Sequence, residues 1–193
     1  MRALWAIGAA IALLAAGSRT ATASTLPGVD FGTQPLVGLA IGTGLAWAPS
    51  GAVSFDLPLG ESFMVGASAG TSYGTQLNFD VRGIYRLVVG NRESPTIGVM
   101  AGLWGAPGMA GFQLPGGVAP FVGFGLSYDV TKRITARLNL AYSPFFNYNN
   151  TALLFMDGPP SAGVELGYKV RPNLQATLGL DGRGDLLGLS WTY

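Results

Sequence analysis

The sequence has no cysteine and no histidine, and only 11% of its 193 residues carry charge. Without cysteine there is no disulfide framework, no thiolate metal site and no lipid-bearing N-terminal Cys, so the redox compartment has to be read from targeting instead. Without histidine there is no Ser-His-Asp set and no His-rich metal site, and no phosphate loop is present either. Eleven Lys and Arg stand against ten Asp and Glu, a formal net charge of +1, which leaves no basic surface for nucleic acid. Beyond the first two dozen residues, no stretch reaches the roughly 18 uninterrupted apolar residues that a spanning helix needs. Yet 49% of the chain is hydrophobic and its mean hydropathy is +0.38. A chain that is apolar overall but lacks a long apolar run distributes its apolar residues, and alternation along β-strands is the pattern found.

Thirty glycines and twelve prolines punctuate that pattern. The final stretch, Leu186 to Tyr193, places Leu187, Leu189, Trp191 and Tyr193 on one face and Gly188, Ser190 and Thr192 on the other. From Leu36 the same alternation sets Val37, Leu39, Ile41, Leu45 and Trp47 against Gly38, Ala40, Gly42, Gly44 and Ala46, with Pro49-Ser50-Gly51 read as a turn. Val53 to Leu59 and Phe63 onward continue it. The clearest strand sets Leu77, Phe79, Val81, Tyr85 and Leu87 against Gln76, Asn78, Asp80, Arg82, Ile84 and Arg86. Further strands centre on Val99, Phe124, Leu138, Leu166 and Leu178, giving ten in all, with eight as the alternative count.

The N-terminus reads as targeting. Arg2, the apolar run Ala3 to Ala16 and the small residues Ala21-Thr22-Ala23 predict a signal peptide over 1–23 that is cleaved on export. Residues 24–35 carry two prolines and no periodicity and are assigned as a linker or lumen-entering segment. The remainder, 36–193, is one all-β domain.

A short repeat fixes strand direction. Phe55-Asp56-Leu57, Tyr85-Arg86-Leu87, Tyr128-Asp129-Val130 and Tyr168-Lys169-Val170 each place an outward aromatic, an inward charge and an outward aliphatic residue just before a turn, and Trp191-Thr192-Tyr193 takes the same place at the end. Phe55, Tyr85, Tyr128, Tyr168 and Trp191 thus form one belt. Asp56, Asp80, Arg82, Arg86, Asp129, Arg137, Glu165, Lys169 and Asp181 all take the inward parity. In this alternation, this belt and the terminal aromatic strand, the chain resembles small bacterial outer-membrane β-barrels of the OmpA-, OmpX-, OmpW- or porin-like type. The resemblance implies an antiparallel up-and-down transmembrane barrel, a lipid-facing outer wall, and a monomer in the outer membrane. It also implies short turns toward the periplasm, and longer connections, Gly105 to Gly117 and Pro144 to Pro160, toward the outside. Leu189, Trp191 and Tyr193 would serve as the signal read by the barrel-assembly machinery.

Within such a barrel Arg82 and Glu165 each lie three residues above a belt aromatic, with Arg137 and Asp80 near the same level. These four are the expected ion-pair network, a filler of the lower lumen or a charged constriction. Inward glycines above them, with Trp104 and Phe121 as the large exceptions, suggest an outward-facing vestibule. Barrel enzymes such as the omptin proteases, the outer-membrane phospholipase and the lipid A deacylase and palmitoyltransferase all use a histidine, so the expectation here is a non-enzyme without cofactor or metal. Three functions stay open: a narrow porin-like channel for small solutes, a closed structural or adhesion barrel acting through its outer loops, and a carrier of an apolar ligand.

Overall fold

The computed structural model describes residues 26, 28–43, 49–72, 76–91, 93–108, 113–147, 159–181 and 184–192. The expected signal peptide, the segment 44–48 with Trp47, and Tyr193 lie outside the described residues. Ten strands follow one another: β1 (Leu36–Thr43), β2 (Pro49–Pro58), β3 (Phe63–Ser72), β4 (Gln76–Val88), β5 (Thr96–Gly105), β6 (Val118–Asp129), β7 (Ile134–Tyr142), β8 (Gly163–Arg171), β9 (Leu174–Asp181) and β10 (Gly184–Thr192). Each pairs antiparallel with its chain neighbours, and β1 pairs with both β2 and β10, closing the sheet into a barrel. Val37 stands between Phe55 on one side and Trp191 on the other. Closure leaves no strand edge to template further pairing. The count of ten is therefore the right one, and the eight-strand alternative falls.

One expected turn proves to be strand. Pro49-Ser50-Gly51 opens β2, with Gly51 opposite both Ile41 and Thr71. Proline is tolerated at a strand's first residue because the ladder does not yet need its missing N–H.

The two faces follow the sequence parity. On β4 the inward Asn78, Asp80, Arg82 and Ile84 are 0–3% exposed, whereas the outward Leu77, Val81, Tyr85 and Leu87 are 51–57% exposed. The same contrast runs round the ring, where Ile41, Val53, Leu103, Val122, Leu166 and Leu187 all stand exposed on the outer wall. The belt residues Phe55, Tyr85, Tyr128 and Tyr168 are exposed at the same end of their strands.

The strands are staggered as well as closed. Tyr85 of β4 pairs with Phe63 at the very start of β3, while Phe55 of β2 pairs with Ala67 four residues along. Belt residues at one level thus lie at different registers, which is the tilt that barrel closure demands. Below the belt the connections are short and locally hydrogen-bonded. Leu59 N–H donates to Phe63 O beside Gly60, whose φ of 111° suits only glycine, and Asn91 Oδ1 accepts from the N–H groups of Glu93 and Ser94. At the opposite end lie the long β5–β6 and β7–β8 connections; the former is pinned by Ala106 N–H to Gly117 O.

Candidate functional site: the closed lumen and its N-terminal segment

Inward side chains meet inside the ring, and register decides which ones. The row Asp56, Gly66, Arg82, Gly102, Phe121 crosses β2 to β6 through successive pairings. Because Gly66 has no side chain, Arg82 reaches past it to Asp56: Nη2 donates to Oδ1 at 2.7 Å, and Nη1 bonds Asp80 on its own strand. Ser68 Oγ donates to the second Asp80 oxygen at 3.2 Å. Arg82, Asp56 and Asp80 are all buried.

A second cluster forms around β7 to β9. Arg137 stands opposite Glu165 in the ladder, and its Nη1 donates to Glu165 Oε1 at 2.9 Å and to Gln175 Oε1 at 3.1 Å. Its Nε and Nη2 both donate to Asp30, each at 2.9 Å, in a forked pair with the two carboxylate oxygens. The four residues expected as one network are thus divided. Asp80 and Arg82 belong to one cluster, Arg137 and Glu165 to the other, and the bridging partners are Asp56 and Asp30.

Asp30 lies in the segment before β1, and that segment enters the lumen. Leu26, Val29 and Phe31 are 1–5% exposed. Val29 Cγ1 would stand 2.6 Å from a Cβ built on Gly125 and 2.9 Å from one on Gly98, so the two glycines form its seat. Arg86 clamps the main chain on the other wall. Its Nε donates to Val29 O at 2.9 Å, Nη2 bonds Phe31 O, Nη1 reaches Glu61 O at 2.9 Å, and the guanidinium carbon lies 4.1 Å from the centroid of the Phe31 ring. Leu26 N–H donates to the second Glu165 oxygen at 3.3 Å. Burying three apolar side chains contributes about 1.5–3 kcal/mol apiece. Fixing about ten backbone residues costs about 1–2 kcal/mol each. Apolar burial alone does not hold the segment, and the bonds to Arg86 and Arg137 make the difference.

Further up the lumen, Trp104 and Phe121 face inward as expected and are 2% and 1% exposed. Trp104 meets the ring of Phe146, which descends from the β7–β8 connection to a centroid distance of 4.9 Å at 66°. Inward residues along the whole height, from Thr192 through Ser190, Ile84, Met100 and Asn139 to Ala119, lie between 0 and 3% exposed. The inward glycines serve close packing: a Cβ on Gly123 would meet Ala141, and one on Gly163 would meet Asp181. Apolar hollows are found on the outer wall. One of about 520 Å³ runs beside Ala136, Val164, Leu166, Leu178 and Leu180, and another of about 250 Å³ beside Val122, Phe124, Leu140 and Tyr142. Among the described residues no group of three or more acidic, His or Cys side chains is arranged to hold a metal ion. Leu189 and Trp191 lie on the outer face of β10 beside β1, Leu189 50% exposed.

Asp30, Asp56, Arg86 and Gln175 are the residues that sequence reasoning did not select. Asp56 and Arg86 have the inward parity, but the level each reaches in the barrel is set by strand tilt, which parity does not give. For Asp30 the available signal was a single charge between two bulky apolar residues in an otherwise aperiodic segment.

These features define a closed, ten-stranded, up-and-down β-barrel with a filled interior. The chain matches no protein-family model and no curated protein sequence, so the fold and the lumen are the basis for function.

Proposed function

We propose that the protein is an integral outer-membrane β-barrel, closed at rest by its own side chains and N-terminal segment, which acts through its outer connections rather than by enzymatic chemistry. The observation that carries this reading is the outer wall, where aliphatic side chains stand 40–70% exposed over a closed barrel and end at an aromatic belt. Such a surface matches hydrocarbon, and a belt of amphipathic rings matches a membrane interface. The partners are then outer-membrane lipid and the barrel-assembly machinery, and the site of action is the cell surface of an exported monomer. The closed lumen favours this form over an open porin-like channel, because a water-filled pore would leave its lining exposed. A narrow solute conduit is the second reading, favoured by the two charged clusters across the lumen.

Val81→Arg is the test of the membrane reading. Val81 lies four residues above Tyr85, about 10 Å along a tilted strand and thus near the centre of an apolar band about 25 Å tall. There an arginine costs about 2–4 kcal/mol. On a water-facing wall, the same change at a residue 56% exposed costs within about 0.5 kcal/mol. Refolding into lipid vesicles, followed by urea unfolding, distinguishes the two; an unaltered midpoint sinks the membrane reading. Planar-bilayer recording separates the closed barrel from the conduit, since a steady conductance of the intact protein overturns closure.

A further inference from the structure

The segment Gly28–Phe31 is held the way a receptor holds a ligand. Strand side chains hold its main chain and its carboxylate: Arg86 binds the carbonyls of Val29 and Phe31, and the Arg137 fork grips the Asp30 carboxylate. Arg86, on the far wall, reads the carbonyls of Val29 and Phe31, one on each side of Asp30, and stacks on the Phe31 ring. Val29 fills the hollow left by Gly98 and Gly125. The arginine is sealed, at 1% side-chain exposure, but Asp30 retains 18%, so water reaches the carboxylate.

We propose that this end of the lumen is a binding site for an extended acidic peptide, with a carboxylate flanked by an aliphatic and an aromatic residue, and that Gly28–Phe31 occupies it as an internal ligand. A peptide segment of the same chemistry, presented from the short-turn end, takes its place and releases the chain's own segment. The recognition rests on the forked Arg137–carboxylate pair, whose planar geometry a lysine or an uncharged amide does not reproduce. The inference depends on the barrel's being closed by its own segment and not on where the barrel resides.

The absence of cysteine makes the test direct. In the full-length protein refolded in detergent micelles, Val29→Cys reports release through its rate of reaction with a water-soluble maleimide, because labelling follows the population of the opened segment. Phe31→Cys serves as a second reporter should the first fail to fold. Ala119→Cys, fully buried near the other end of the lumen, reports on the barrel itself. Adding Asp30→Asn, which discards the forked ion pair, is expected to raise labelling at position 29 by at least about tenfold. A millimolar synthetic peptide with the sequence of residues 26–33 is expected to raise it likewise, and the same peptide with Asn at the Asp position is not. Position 119 stays unlabelled throughout. Labelling unmoved by the acidic peptide overturns the proposal, whatever Asp30→Asn does, as does acceleration at position 119 equal to that at position 29, which is loosening of the whole barrel. Failure to enter vesicles sinks the membrane reading and leaves this measurement in micelles intact.

Discussion

If the lumen holds two ion clusters rather than one network, Arg82 and Glu165 are energetically independent, and a double-mutant cycle measures that. Arg82→Met removes the guanidinium that stands 2.7 Å from Asp56 and also bonds Asp80, leaving two buried carboxylates without their counter-charge. Breaking a buried pair from one side costs about 3–5 kcal/mol. At about 1.4 kcal/mol per factor of ten, the ratio of folded to unfolded protein falls at least a hundredfold. Glu165→Gln keeps the size of the side chain but discards the charge opposite Arg137, for a loss of about 1.5–3 kcal/mol. Arg137 retains its fork to Asp30, so the second cluster weakens without collapsing. Since Arg82 bonds Asp56 and Asp80 while Glu165 bonds Arg137 and Leu26, the two costs are expected to add to within about 0.5 kcal/mol. The assay is urea unfolding of the refolded protein in micelles or vesicles, followed by tryptophan fluorescence and by the gel mobility of the folded form. A direct Arg82–Glu165 pair, as depth counted along each strand suggests, gives a coupling of up to about 3 kcal/mol. A measured coupling above about 1 kcal/mol would refute the division into two clusters.

One further outcome follows from a close contact, and one from the outward parity of the last strand. Gly66→Val places a side chain where the Asp56 carboxylate sits, with Asp56 Cγ only 3.1 Å from the new Cβ, and is expected to destabilise by about 1–3 kcal/mol in the same unfolding assay; its cost should shrink when Asp56→Ala is present, since the clash and the ion pair then vanish together. Deleting Tyr193, the terminal aromatic in the outward parity of Leu189 and Trp191, is expected to reduce the fraction of protein recovered in the outer membrane of an expressing cell while refolding in detergent is retained; recovery equal to that of the intact protein removes the proposed role in assembly.

Strand number, strand order and the face taken by the described strand side chains were legible, because period-2 alternation reports the face of a strand without reference to any other strand. The belt was legible for the same reason: Phe55, Tyr85, Tyr128 and Tyr168 recur at one place relative to a turn. What was not legible depends on how strands slide past one another. Arg82 and Glu165 stand at equal heights above their own belt residues, yet tilt carries Asp56 from below the belt of β2 to the level of Arg82, across Gly66. The contact of Asp30 with Arg137 spans 107 positions and joins an aperiodic segment to a strand, so no local pattern announces it.

The inward glycines show where the boundary falls. A small inward residue is equally consistent with open space and with a space that another residue fills, and alternation cannot choose between them. Gly98 and Gly125 look like cavity when β5 and β6 are read alone, and they are the seat of Val29 once the N-terminal segment is in place. Gly66 looks like cavity on β3 and is the passage by which Arg82 reaches Asp56. Gly102 looks like cavity on β5 and is where the Phe121 ring lies, 2.9 Å from the position of its missing Cβ. In each pair the large residue and the glycine that admits it lie on different elements, so the sequence holds both halves of the fit while only the register brings them together. An open vestibule and a filled lumen therefore share one binary pattern, and it is the partners of the glycines, rather than their number, that close this barrel.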